Sequence, residues 1–170
     1  GTNPYGVKDY GYSDYVKDYI NEQELLETYV NYSSNNKRII DLINEIEDNL
    51  KINVNGKETT IQNALIKADL VTISIGNNDL FENVKFNNDF STNDLYNKLE
   101  EVIKDYEKLF KILRDYSEEK IVLVGLYNTT SNNELDEFFN YANKKIGELA
   151  NSYGINYINI GETACAPDHI

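Results

Sequence analysis

The chain has 170 residues, with 16 Lys or Arg against 29 Asp or Glu and a formal net charge of −13. This length suits one ordinary domain that buries a core without disulfides or metals. The acidity argues against a nucleic-acid surface or an anionic membrane surface as partner, and no apolar run has the length of a transmembrane segment. Cys165 is the only cysteine and His169 the only histidine, which excludes an intrachain disulfide and a histidine metal cluster. We therefore expect a single domain over residues 1–170, with no metal or cofactor.

The first part of the chain alternates helix and strand signals. Breaker residues mark loops and turns, apolar residues three and four apart mark helices, and the run LLETYVNYS marks a short strand. In chain order the predicted elements are a loop (1–12), a helix (14–23), a strand (Leu25–Ser33), a helix (Asn36–Leu50), a turn (Asn55-Gly56) and a helix (Thr60–Ala68).

The next stretch, LVTISIGNNDL at Leu70–Leu80, is typical of a buried strand that delivers polar groups to its tip. Val71, Ile73 and Ile75 are β-branched, and the chain then passes through Gly-Asn-Asn-Asp, which favours a turn. In a parallel sheet, ligands bind at the carboxyl ends of the strands, so this tip is a candidate site. The alternative is a turn that only caps the following helix.

The second part of the chain has the clearest periodicity. The connection at 81–93 is aromatic, so it either lines a pocket or is a loop pinned to the core by its side chains, which include Phe81, Val84, Phe86 and Phe90. Further on we predict a helix (Asn93–Tyr116), a strand (Lys120–Tyr127), a helix (Asn133–Tyr153) that ends at Gly154, and a last strand (Ile155–Ile160). Strands separated by helices of roughly ten to twenty residues predict an α/β fold, with a mostly parallel sheet covered on both faces.

Three motifs in this sequence are similar to those of the SGNH, or GDSL-type, hydrolases, in particular the bacterial lipase/acylhydrolase branch. ADLVTISIGNNDLF at 68–81 resembles the third block of the family, with Gly76, Asn78 and Asp79 in the matching places. VGLYN at 124–128 resembles the segment after the fourth strand, and Asp168 matches the Asp of a C-terminal Asp-x-x-His. The resemblance covers the whole length and implies a three-layer α/β/α, flavodoxin-like domain.

The resemblance also implies a reaction. In this family a serine attacks an ester or thioester carbonyl, a histidine carries the proton, and an aspartate, here Asp168, orients the histidine. The oxyanion is held by the serine backbone N–H, by a glycine N–H of the second block and by the side-chain amide of the third-block asparagine, here Asn78. Gly76 is the glycine of that third block, and we expect Asp79 to accept local backbone N–H bonds that fix the loop.

The sequence departs from the family pattern at both ends. The Gly-Asp-Ser-Leu block is absent, no serine of the chain lies in such a context, and Ser74 is expected in the core. The second-block turn, YSSNNKR, lacks the usual glycine, and His169 lies next to Asp168 rather than three residues after it. We therefore expect the parent protein to be the esterase and this chain to be inactive.

The absence of the first block also affects which strands the sheet is expected to contain. The first strand, central in the order 2-1-3-4-5, is expected to be missing, so that either another chain fills the gap or the neighbouring strands close up. Four strands in one continuous sheet would favour closing up. A foreign strand between Leu25–Ser33 and Leu70–Ile75 would favour the partner chain.

Other functions stay open at this point. The alternative from another class is a non-catalytic α/β module in which the tip and the aromatic loop hold a ligand or partner without turnover. A phosphate-binding domain is disfavoured because no Gly-rich loop opens a helix after a strand. The absence of Met indicates that an upstream segment was removed or left out, which is compatible with an extracytoplasmic or secreted protein. The expected partner is a small or lipid ester.

Overall fold

A computed structural model describes residues 11–54, 56–81, 92–128 and 135–160. In those ranges the helices and strands are, in chain order, α1 (Tyr12–Glu22), α2 (Ile39–Glu47), β1 (Lys51–Val54), β2 (Lys57–Thr60), α3 (Ile61–Lys67), β3 (Leu70–Ser74), α4 (Asn77–Phe81), α5 (Thr92–Tyr116), β4 (Lys120–Val124), α6 (Asp136–Ser152) and β5 (Asn156–Ile158). None of the helices in this part of the chain is long and apolar enough to cross a bilayer.

The central feature is a parallel sheet of order β3-β4-β5, with α5 and α6 as its crossovers. Leu70 is in register with Lys120, and Val122 with Asn156. Successive crossovers in one direction place both helices on the same face of the sheet. The α/β class and the parallel sheet predicted from the sequence are confirmed, and the order corresponds to strands 3-4-5 of the flavodoxin arrangement.

The two faces of this sheet differ. Ile121 and Leu123 point to the face covered by the crossover helices and are 0% exposed. On the opposite face Tyr12 of α1 bonds to Thr72, whereas Ile158 is 49% exposed. Ser74 lies on this more open face and is exposed, so its predicted place in the core is wrong. The reason is that side chains alternate along a strand, and Ile73 takes the buried face.

The apolar residues whose spacing predicted a helix are buried in the structure. The apolar stripe predicted for α5 is at most 1% exposed at every position, namely Leu95, Leu99, Val102, Tyr106, Leu109 and Leu113. Burying each such side chain contributes about 1.5–3 kcal/mol relative to leaving it in water. This stripe packs with α2, α3, α6, β3 and β4 in one hydrophobic core.

Arg114, near the end of α5, bonds to carbonyl groups just before the amino ends of β4 and β5. Its guanidinium donates to the carbonyl groups of Tyr153 and Gly154 at 2.9 and 2.7 Å. It also donates to those of Ser117 and Glu119 at 3.0 and 2.9 Å. A cation therefore satisfies carbonyls beyond the ends of both crossover helices, where the helix dipole favours positive charge. Gly154, at φ +67°, provides the predicted left-handed stop after α6.

The predicted strand Leu25–Ser33 is wrong, because this segment is irregular in the structure. Glu24 turns the chain at φ +59° and Leu25 is 74% exposed, whereas Tyr32 packs against the core, so the segment reaches the core only near its end. The Asn31 side chain accepts the backbone N–H of Ser33 at 2.8 Å, a local turn that competes with strand pairing. The described residues therefore do not form the continuous four-stranded sheet, and a strand from another chain stays a prediction.

A small antiparallel hairpin, β1-β2, was not predicted as strands. The turn signal was recognised, and Gly56 has φ +80° there. Its second strand, Lys-Glu-Thr-Thr, lacks the alternation of apolar and polar residues by which strands are found.

Candidate active site

The tip after β3 is shaped by the packing of Gly76 against α5. Its φ is +114°, and a Cβ at this position would lie 2.1 Å from the Tyr106 hydroxyl oxygen and 3.1 Å from Leu126 Cδ2. Tyr106 donates its hydroxyl hydrogen to the Ile75 carbonyl just before the turn. Both the backbone conformation and the space therefore require glycine. The role of Tyr106 was missed, because its place in the helical stripe identifies it only as core.

Beyond Gly76 the chain enters the single-turn helix α4, which starts with the Leu80 N–H donating to the Gly76 carbonyl at 3.2 Å. The tip is thus both a strand end and a helix start. Asn78 is exposed there, and its Nδ2 donates to the Lys37 carbonyl at 3.1 Å. A side-chain amide carries two N–H donors, so holding one of them leaves a second donor in a fixed orientation.

Asp79 ties this tip to the start of α2. Its carboxylate, on a residue only 5% exposed, accepts the Ile39 N–H at 3.0 and 3.2 Å, from 40 positions earlier in the chain. The pKa of Asp79 is raised from 3.8 to about 6, mainly by burial. The charge of Asp105 also raises this pKa, while the N–H groups of Ile39 and of Asp79 itself and the charge of Arg38 lower it. The predicted acceptance of backbone N–H groups is confirmed, but the donor belongs to a distant helix.

The predicted second-block turn lies against the tip through these bonds. Lys37, whose carbonyl holds Asn78, directs its own ammonium group to the Tyr32 carbonyl at 2.6 Å and to Glu45 at 2.5 Å. The structure therefore brings residues 32–39 and 76–79 together. The Asp79 carboxylate and the Asn78 amide both join these segments, and the sequence spacing alone did not identify their partners.

The end of β4 is held by side-chain amides. Asn143 of α6, which is 2% exposed, accepts the Leu126 N–H and donates to the Leu126 carbonyl, both at 2.9 Å. Its Oδ1 also accepts the Tyr157 hydroxyl at 2.5 Å. Asn77 bridges from the neighbouring tip by donating to the Tyr127 carbonyl at 3.2 Å. Asn143 was missed by the sequence analysis, although a polar residue beside the inward-facing Ala142 was an available signal.

A shallow cavity of about 400 Å³ lies between α6 and β5. Most of the residues that line it are of polar types, among them Asn143 and Tyr157, and Gly76 and Asn78 do not line it. The cavity therefore lies beside α6 and β5 and not at the tip after β3.

Several predicted features lie outside the described residues. These are Asp168, Cys165, His169 and most of the aromatic connection at 81–93. From that connection, Phe81 packs on Phe139 with ring centroids 5.9 Å apart. Over the ranges that the structure describes, no three His, Cys, Asp or Glu side chains are grouped so as to hold a metal ion.

Comparison with known proteins gives a family and a similar fold. The family model for GDSL-like Lipase/Acylhydrolase matches residues 2–168. A search of curated proteins by sequence gave no match. Among solved structures, a mutant of an acetyl-xylooligosaccharide esterase from Geobacillus Stearmophilus is similar, with a TM-score of 0.63 and 17% identity over 95% of this chain and 67% of that chain. The structural likeness shows the fold, and the match over nearly the whole sequence shows that this chain belongs to the GDSL-like lipase/acylhydrolase family.

Proposed function

We propose that the protein is a serine ester hydrolase in which Asn78 donates to the oxyanion and Asp168 orients the catalytic histidine. Family membership supports an esterase or acylhydrolase in general. The observation that carries the proposal is the Asn78 side chain, which is exposed at the carboxyl end of β3 while the Lys37 carbonyl holds one of its N–H groups. Its second N–H is then available to an oxygen that becomes negative only during reaction.

In the proposed reaction a serine hydroxyl attacks the ester carbonyl, and histidine takes its proton. The carbonyl oxygen becomes an oxyanion, which Asn78 stabilises together with backbone N–H groups. Collapse releases the alcohol, protonated by histidine, and water then hydrolyses the acyl-enzyme by the same steps. The 170 residues hold no Gly-Asp-Ser-Leu block, so we assign the nucleophile to none of them.

Acetyl esters are the first substrates to test, because the similar solved structure is that of an acetyl esterase. The 170-residue chain and any longer product of the same gene would be assayed for release of acetate, and labelled with a fluorophosphonate to locate a reactive serine. A reactive serine would distinguish the hydrolase from a binding module without turnover.

Replacing Asn78 tests its role directly. In whichever form hydrolyses acetate esters, Asn78→Ala should lower kcat on the order of 10²–10³-fold, since one oxyanion donor contributes about 3–4 kcal/mol. The matched control is Asn63→Ala, an exposed asparagine of α3 near the opposite edge of the sheet, which should leave kcat unchanged. Circular dichroism would check that both variants are folded. An Asn78→Ala enzyme with nearly normal kcat would contradict the assignment.

A further inference from the structure

The four residues after β4, Gly125–Asn128, form a segment that is irregular yet held in place. The Gly125 N–H donates to the Ile158 carbonyl at 2.8 Å, and both backbone polar groups of Leu126 are bonded to Asn143. The Tyr127 carbonyl accepts from Asn77. Asn128 Nδ2 donates to Asp136 Oδ1 in the first turn of α6 at 2.8 Å. Bonds from β5, α6 and the neighbouring tip therefore fix this segment on several sides.

This fixed segment presents an aromatic side chain. Tyr127 is 39% exposed, whereas Gly125 and Leu126 on its amino side are buried. Its carbonyl lies 3.2 Å from the amide nitrogen of Asn77, and Asn78 is the next residue along the chain. Tyr127 thus lies beside the proposed oxyanion donor, at the carboxyl ends of two adjacent parallel strands, where ligands bind in such sheets.

We propose that Tyr127 is a substrate-binding residue that holds the sugar ring of a carbohydrate ester, on the alcohol side of the bond that is cleaved. This inference rests on the proposed hydrolase function. A tyrosine supplies a large, rigid surface with little conformational entropy to lose, and its hydroxyl remains available to a polar ligand. A held backbone keeps that surface in one position before substrate arrives, which lowers the cost of binding.

The surroundings of Tyr127 favour a sugar over a long acyl chain. Among the described residues, the Asn77 amide bonds to the Tyr127 carbonyl, and the next residue, Asn128, bonds to the Asp136 carboxylate. Amides and carboxylates have several donor and acceptor positions and suit hydroxyl groups. An acyl chain gains affinity from apolar walls, and the side chains named here, within the part of the chain that the structure describes, are polar.

The test separates ring binding from ester chemistry by using two substrates with the same acyl group. Acetylated xylotriose carries a sugar, and ethyl acetate does not. For Tyr127→Ala we expect KM on the acetylated sugar to rise about 10-fold, with kcat/KM on ethyl acetate unchanged within about twofold. Tyr127→Phe keeps the ring and should retain most of the affinity. Ile66→Ala is the control, because Ile66 is 62% exposed on α3, which precedes the amino end of β3.

Binding of unacetylated xylotriose, measured by calorimetry on the same proteins, does not depend on turnover. Weaker binding by Tyr127→Ala than by wild type and Ile66→Ala supports the inference even if no hydrolysis is found, in which case only the proposed function fails. Equal binding by Tyr127→Ala and wild type, or no binding by wild type, overturns the inference. An equal loss on both substrates also overturns it, while leaving the hydrolase function intact.

Discussion

Gly76 is the residue of the tip whose replacement has the most direct structural consequence. Gly76→Ala should destabilise the protein by roughly 3 kcal/mol or more, because the new Cβ is strained at positive φ and meets the Tyr106 hydroxyl. Gly56→Ala is a matched control, since its φ is +80° with nothing within 4 Å, and should cost about 1 kcal/mol. Urea unfolding would measure both.

The comparison of these two glycines isolates the steric part of the effect. Adding Tyr106→Phe to Gly76→Ala removes the oxygen at 2.1 Å and should recover part of the loss. Equal costs for Gly76→Ala and Gly56→Ala would show that the close approach of α5 is not what requires glycine.

Asp79 should make stability depend on pH. Its pKa is raised by burial from 3.8 to about 6, so the folded chain keeps a proton that the unfolded chain has released. Stability contributed by this group is therefore greatest below pH 3.8 and is lost as pH rises through about 6, on the order of 3 kcal/mol in total.

Asp79→Asn tests this sign. Position 79 of the variant cannot ionise. As pH is raised from about 5 to about 7.5, the unfolding free energy of the variant should therefore increase relative to that of wild type. Glu137→Gln, at an exposed position of α6, is the control and should follow wild type at both pH values. If the difference between wild type and Asp79→Asn did not change with pH, the buried carboxylate would not titrate in this range.

At the residue scale, the sequence identified the residues that a motif carries and missed those that support them. The strand pattern singled out the tip, and the resemblance to the third block of the family singled out Gly76, Asn78 and Asp79 within it; the structure places all three at that tip. Lys37 and Asn143 act through a backbone carbonyl and a buried amide, contacts that depend on which helices meet. Such pairs, 41 and 17 positions apart, have no spacing rule in a single sequence.

At the element scale, α6 is joined to β4 through Asn143. Asn143→Ala should destabilise by about 3 kcal/mol, because it leaves the N–H and carbonyl of Leu126 and the Tyr157 hydroxyl without their partner. Asn151→Ala, at an exposed position on the same helix, should change stability by less than about 0.5 kcal/mol. Thermal unfolding would compare them, and equal melting temperatures would contradict this role for Asn143.

The elements that could be predicted are those whose burial is periodic. The helices α5 and α6 and the strands β3 and β4 have apolar patterns that one core imposes, whereas β5 is a short, mostly exposed strand that follows the buried Ile155. Leu25–Ser33 has a similar composition but no strand partner among the described residues, and strand formation requires one, so residues 31–33 form a local turn instead. Composition therefore did not predict which segment pairs with another strand.

At the scale of the whole molecule, the net charge of −13 should oppose folding through self-repulsion. Raising NaCl from about 10 mM to about 150 mM shortens the Debye length from about 30 to about 8 Å, and Tm should rise. Ion pairs such as Lys51–Glu58, with both side chains 64% exposed, contribute too little to reverse this trend. A Tm that fell with added salt would show that attractive pairs outweigh the repulsion.

Arg114 lies at the amino ends of β4 and β5, away from the loops at the carboxyl ends of the sheet. Its guanidinium joins the residues that lead into β4 to those that lead into β5, so the alignment of these strands is set at their amino ends. The loops at the carboxyl ends then do not have to maintain that alignment. Substitutions in those loops can change what the chain binds while the alignment of β4 with β5, and with it the position of Tyr127 after β4, is kept.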